Sequence, residues 1–225
     1  MVEKKMTKEE LREDKVVTAI ADAGNYFKQN GITIAVVVGL VLAGFVVIQI
    51  VRQGKARAEE QAAVLLLDGE TQYQAGGPAG AIAHFQEAVE RYGGTRSGRI
   101  ALLRTADCHL ATGNIEQARD AYERYLETDP KSGLLRASGL RGLAGALDSM
   151  EEHERAAGLF LDAAGIEGNP MGADDLLSAG NAWLDAGRPD EAEKALKRLL
   201  ETYPNHPRQR EARQQLATAR ALTGS

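Results

Sequence analysis

A single cysteine, Cys108, stands in 225 residues, so no disulfide can form within this chain. Aromatic residues make up only 5% of it. Past residue 52 the β-branched residues are thin as well, and Ala and Leu dominate. Sheets draw on β-branched and aromatic side chains, so this balance favours helices. No basic run of the kind that neutralises phosphates occurs. The formal net charge is -5, and six acidic residues balance six basic ones before Ile32, so the acidic excess lies in the C-terminal part. Nucleic acid is therefore not an expected partner. Local catalytic and metal motifs are missing too. His84, His109, His153 and His206 include no pair four residues apart, and there is no HExxH, GxSxG, P-loop or CxxC. Cys108 and His109 are adjacent and so project from different parts of a helix surface, which makes no local dyad. Cys108 is expected to pack as a small hydrophobe. The glycines of "GLRGLAGAL" (139–147) follow a GxxGxxG spacing with no strand before them, and close helix packing explains them better than a nucleotide loop. The chain is thus expected to be no enzyme, with no catalytic residue, cofactor or metal ligand set.

What is present begins with "GITIAVVVGLVLAGFVVIQIVRQGKAR" (31–57). Residues 32–51 carry no charge, and Thr33 and Gln49 are the only polar interruptions. A helix rising about 1.5 Å per residue needs roughly 20 apolar residues to cross a bilayer. A buried core helix of this length would show a polar stripe, and this stretch shows none. A transmembrane helix over 32–51 is the expectation. A cleaved signal peptide fits less well, because the run exceeds a usual apolar core and about 30 residues precede it. "LAG" at 42–44 is followed by Phe45 and not by the Cys a lipoprotein needs. Ala35, Gly39 and Ala43 share one face, a spacing that lets membrane helices approach closely and leaves room for a homo-oligomer. Before the span, residues 1–31 read as an amphipathic segment. Thr7 and Glu10 fit a capping box, and Val16, Ile20, Ala23 and Phe27 fall on one helix face. Flanking charge does not orient the span: Arg12, Lys15 and Lys28 on one side are matched by Arg52, Lys55 and Arg57 on the other. Residues 52–61 read as a linker or a helix continuation.

Residues 62–222 repeat. Segments 76–92, 113–130, 150–164 and 187–204 align on Ala81, Ala118, Ala156 and Ala192, at spacings of 37, 38 and 36 residues. Four residues after each anchor stand Phe85, Tyr122, Phe160 and Leu196. Seven after it stand Ala88, Tyr125, Ala163 and Leu199. A small anchor lets two helices approach, and the bulky residue one turn on fills the space between pairs. Gly113-Asn114 and Gly187-Arg188-Pro189 break helices where turns are needed. No pair can bury its apolar face alone, so the stack is the stable unit, and the polar-faced stretch 208–222 reads as its cap.

This pattern resembles the tetratricopeptide repeat, best in the second copy (Gly113, Ala118, Tyr122, Pro130) and the fourth (Gly180, Gly187, Ala192, Pro204). The third copy has Glu151 where the turn glycine is expected. The resemblance implies an all-α tetratricopeptide-like solenoid of about four repeats plus a capping helix. It also implies a concave partner-binding face lined by the first helix of each pair. Carried over position by position, that face comprises Leu66, Glu70 and Tyr73; Leu103, Asp107 and Leu110; Arg141, Gly145 and Asp148; and Leu177, Asn181 and Leu184, with Trp183 beside it. Glu70 and Asp107 stand where carboxylate-clamping relatives carry Lys and Asn, so an extended or helical ligand with some positive charge is expected. The whole architecture, with "EDK" at 13–15 before the span, is similar to the ancillary-subunit family of the SecYEG translocon, the YfgM type. That resemblance implies a single-pass bacterial inner-membrane protein with its N-terminus in the cytoplasm and its repeats outside. The partners it implies are translocon subunits, periplasmic chaperones or unfolded clients.

Overall fold

The computed structural model describes the backbone from Glu10 to Gly224 and the side chains of Lys28 and of residues 30–224. The capping box at Thr7 and Glu10 and the stripe of Val16, Ile20, Ala23 and Phe27 lie outside the side chains described. Eight α-helices and no strand occur among the described residues. They are α1 (Glu10–Tyr92), α2 (Arg96–Ala111), α3 (Ile115–Glu127), α4 (Gly133–Ser149), α5 (His153–Ala164), α6 (Gly172–Asp185), α7 (Pro189–Thr202) and α8 (Gln209–Thr223). The chain divides into an N-terminal unit ending at Ala56 and a C-terminal unit, Arg57–Ser225.

In the N-terminal unit the helix leaves its apolar side chains uncovered. Leu40, Val41, Phe45 and Ile50 are all exposed. Ala35, Gly39 and Ala43 are exposed too, and a Cβ placed on Gly39 would meet nothing within 4 Å.

The C-terminal unit is built of helix pairs. Helix α1 breaks at Gly77 (φ 72), followed by Pro78, and the stretch after the break packs back on the stretch before it. Three later turns close alike. Gly113, Glu151 and Gly187 all take a positive φ. The next amide reaches back to the carbonyl five residues earlier: Asn114 to His109, Glu152 to Leu147 and Arg188 to Trp183, at 2.8–2.9 Å. These are Schellman closures, which need a left-handed residue and so favour glycine. Glu151 adopts φ 62 without being one. The third turn therefore keeps its geometry at a steric cost of about 1–2 kcal/mol.

All four anchor alanines are fully buried; of the bulky residues that follow them, Phe85, Tyr122 and Leu196 are fully buried and Phe160 nearly so. Each of three bulky rings or branches lies against a glycine, Phe85 and Leu196 within their own helix pair and Tyr122 on the first helix of the next pair. A Cβ on Gly69 would come within 2.4 Å of Phe85, on Gly142 within 2.2 Å of Tyr122, and on Gly180 within 2.7 Å of Leu196. The glycines of 139–147 thus serve close packing, as their spacing suggests: Gly139 abuts Tyr125 and Gly142 abuts Tyr122. Helix α2 is fixed at its start by Glu59, whose carboxylate accepts from the Arg96 and Ser97 amides at 2.7 and 3.0 Å and from the Ser97 hydroxyl at 2.7 Å. Burial works against the ionised carboxyl. These bonds and the Arg96 charge outweigh it and hold the Glu59 pKa below the ordinary value. At the far end α8 buries Ala212, Leu216 and Ala219 against α7 and leaves its other face polar.

Gly142→Ala is expected to lower the urea midpoint. Tyr122 is buried and hydrogen-bonded at its tip, so overpacking of about 1–3 kcal/mol outweighs the ~1 kcal/mol helix gain from alanine. Gly158→Ala, where nothing lies within 4 Å, is the control and should not destabilise. Equal midpoints for the two variants would refute the close approach. Glu151→Gly should stabilise by up to about 1 kcal/mol, the left-handed strain relieved less the glycine entropy; calorimetry showing a lower Tm would contradict this.

Candidate partner-binding face

The residues expected on the concave face separate into three groups. Leu103 (4% exposed) and Leu177 (fully buried) belong to the core clusters and present nothing to a ligand. Arg141 is half-buried and committed inward. It makes a bidentate pair with Asp175 on α6, Nε to Oδ1 at 2.5 Å and Nη2 to Oδ2 at 2.8 Å. Asn169 completes this network, donating to Asp175 at 2.7 Å and to the Ala163 carbonyl at 2.8 Å. Asp175 is only 1% exposed. A buried carboxylate without its guanidinium would be a lone charge in a poor solvent, which explains why Arg141 is withheld from the surface. These three positions are corrections to the sequence expectation. Periodicity puts a residue on a face, but the tertiary neighbours decide whether that face meets water.

Leu66, Leu110 and Leu184 are half-buried against the same clusters. Gly145 is half-buried too. Asn181 has a buried Oδ1 with no partner among the described residues. Trp183 bridges two core clusters, with Arg188 stacked 5.9 Å above its ring.

Glu70, Tyr73 and Asp107 do come together. They line a cavity of about 220 Å³ with Gln74, Arg104 and Cys108. Arg104, one residue absent from the sequence expectation, ties it together: Nε lies 2.7 Å from Glu70 and Nη1 3.5 Å from Asp107. Its position three residues before Asp107 on α2 was the available signal, since residues so spaced are neighbours on a helix surface. The Tyr122 hydroxyl donates to Asp107 at 2.7 Å. Burial raises the Asp107 pKa, although Tyr122 and Arg104 oppose it. With Arg104 between two carboxylates the groove carries a single net negative charge, weaker than Glu70 and Asp107 alone implied. Burial and then the Asp107 charge push the Cys108 thiol up to about 11. A thiol so protonated is a poor nucleophile. His109 lines a different cavity, with Leu102 and Gln117.

Asp148, also expected on the concave face, lies instead in a cluster that spacing did not reveal. The ends of α4, α5 and α6 bring Asp148, His153 and Asp185 together, with ligand atoms within 4.8 Å of one another. Among the described residues this is the group whose spacing would suit a metal ion. His153 Nδ1 lies 2.7 Å from Asp148 Oδ1, so a hydrogen bond already accounts for that contact.

The Asp148 hydrogen bond, against a smaller burial effect, raises the His153 pKa, and the charges of Asp148, Asp185 and Glu151 add to it. A raised histidine pKa contributes stability below the unfolded value that is lost as pH rises through the folded one. Titration followed by NMR should find His153 above ordinary histidine, and Asp148→Asn should bring it down. An unchanged midpoint in that variant would remove Asp148 as the cause.

No significant match was found among curated protein sequences. Among solved structures, the MamA protein is similar at 19% identity and a TM-score of 0.62, over 73% of this chain and 84% of that one. BtubC from P. vanneervenii is similar at 18% identity and a TM-score of 0.58, over 76% and 82%. At such identity these likenesses speak to fold alone. The sequence model for the tetratricopeptide repeat-like domain matches residues 25–221, and with the turns, anchors and helix pairs described above this chain belongs to that family.

Proposed function

We propose that this chain is a membrane-anchored adaptor whose repeats hold protein segments near the translocon and assist protein secretion or envelope protein folding. The coarser part rests on the family: a tetratricopeptide repeat-like stack is a scaffold for protein–protein interaction. The anchoring is carried by one observation. Residues 32–51 present apolar side chains on all sides of a helix, with Ile32, Leu40 and Val41 each more than 60% exposed. The helix is long and apolar enough to cross a bilayer. Apolar surface of that extent is costly in water and stabilising in hydrocarbon.

The role near the translocon draws on the similarity in architecture to the YfgM-type ancillary subunits. It takes SecYEG subunits, periplasmic chaperones or unfolded clients as partners, with the N-terminus cytoplasmic and the repeats outside the inner membrane. Within the same scaffold class, envelope assembly or cell-division coordination is an alternative task. A cytoplasm-facing scaffold is a second reading favoured by a specific observation: Arg52, Lys55 and Arg57 follow the span directly and are all exposed.

Protease protection of a C-terminal tag in spheroplasts separates the two orientations. Removal of the tag from sealed cells is the expected result. Survival of the tag until lysis would overturn the secretion reading and favour the cytoplasmic scaffold.

A further inference from the structure

A third cavity, of about 270 Å³, opens where the start of α2, the end of α3 and the start of α4 meet. Its apolar side is Ile100, Pro130 and Leu135, and Arg96, Arg99 and Lys131 bring positive charge to it. Tyr125 also lines it. That side chain is 1% exposed, yet its buried hydroxyl has no hydrogen-bond partner among the described residues. A buried O–H left without an acceptor is unfavourable, and an acceptor in the cavity would relieve it. The donors around it are largely uncommitted. Arg99 gives one N–H to the Gly94 carbonyl at 2.9 Å and keeps its others. Its charge also acts on the Tyr125 hydroxyl, against the effect of burial. The Arg96 guanidinium makes no side-chain hydrogen bond among the described residues and acts on Glu59 through its field alone. Lys131 is paired with Asp129 on the rim.

We propose that this cavity binds one carboxylate side chain presented by an acidic segment of a protein partner. A carboxylate is planar and offers two oxygens, which suits a guanidinium edge beside a hydroxyl donor. The apolar side would cover the methylene stem of a glutamate, and the Asp129 carboxylate on the rim disfavours a dianionic phosphate. This edge site is distinct from the Glu70–Asp107 groove and opposite to it in sign. The inference rests on the reading of the repeats as a protein-binding scaffold.

The test uses the full chain in detergent micelles, with NMR signals of the Arg96 and Arg99 side chains and of the Tyr125 ring. The probe is a blocked pentapeptide with one glutamate between leucines, compared with its glutamine counterpart and with inorganic phosphate. The glutamate peptide should give saturable shifts, with the glutamine peptide about tenfold weaker for loss of a charge-assisted bond. Arg99→Gln should weaken the glutamate peptide about tenfold, and Tyr125→Phe about threefold, the worth of one neutral hydrogen bond. Tyr125→Phe should leave the Tm unchanged or higher, because it removes a hydroxyl with no hydrogen-bond partner among the described residues. Equal binding of the two peptides, no shifts with any probe, or phosphate binding as tightly as the glutamate peptide would each overturn the proposal. Peptide shifts confined to the Glu70–Asp107 groove would also overturn it while leaving the scaffold reading intact.

Discussion

The C-terminal unit depends on one kind of close approach, a bulky side chain of one helix seated on a glycine of the helix packed against it, within a pair or between successive pairs. Phe85 on Gly69, Tyr122 on Gly142 and Leu196 on Gly180 repeat this contact down the stack. The buried anchor alanines at 81, 118, 156 and 192 set the same spacing from the other side. Once the helices lie this close, the rest of the interface has little freedom. Side chains of ordinary size on both helices interlock at the density of an organic solid, and a single added methyl group must displace something. The left-handed turn residues follow from the same demand, since antiparallel helices so near each other need a short, tightly reversed connection.

Polar groups are distributed around that frame according to what the packing leaves them. Arg141 and Asp175 face each other across α4 and α6, with Asn169 filling the remaining acceptor and donor positions, so that charge is buried only as a satisfied unit. Glu59 meets the unpaired amides at the start of α2, where the helix dipole favours a negative charge. Arg104 draws Glu70 toward Asp107 and leaves their groove only weakly acidic. Among the recesses of the surface, two are chemically opposed, one with acidic character around Asp107 and one with basic character around Arg99 and Tyr125. A scaffold with recesses of both signs can discriminate between segments by charge without changing its backbone.

Much of this was legible in the sequence, because repeats are read by periodicity and periodicity survives without coordinates. The apolar run at 32–51, the four anchors with their bulky partners, the left-handed turns at Gly113 and Gly187 and the polar-faced cap all follow from local spacing. Helix geometry turns spacing into faces, and the small-bulky alternation announces which face is inside. Even Glu151, the wrong residue for its turn, was identified by its place in the repeat, and it holds the left-handed φ that place demands.

Tertiary structure alone decided which face residues remain available. Leu103 and Leu177 occupy groove positions by number, but neighbouring pairs close over them. Arg141 has the chemistry of a ligand-binding residue and is consumed by Asp175, 34 positions away. The partnerships of Arg104 with Glu70, of Asp148 with His153 and Asp185, and of the α2, α3 and α4 ends around Tyr125 join different helices. No period within one helix encodes a contact between two. Such contacts depend on the distance and rotation of packed neighbours, which the buried side chains set collectively.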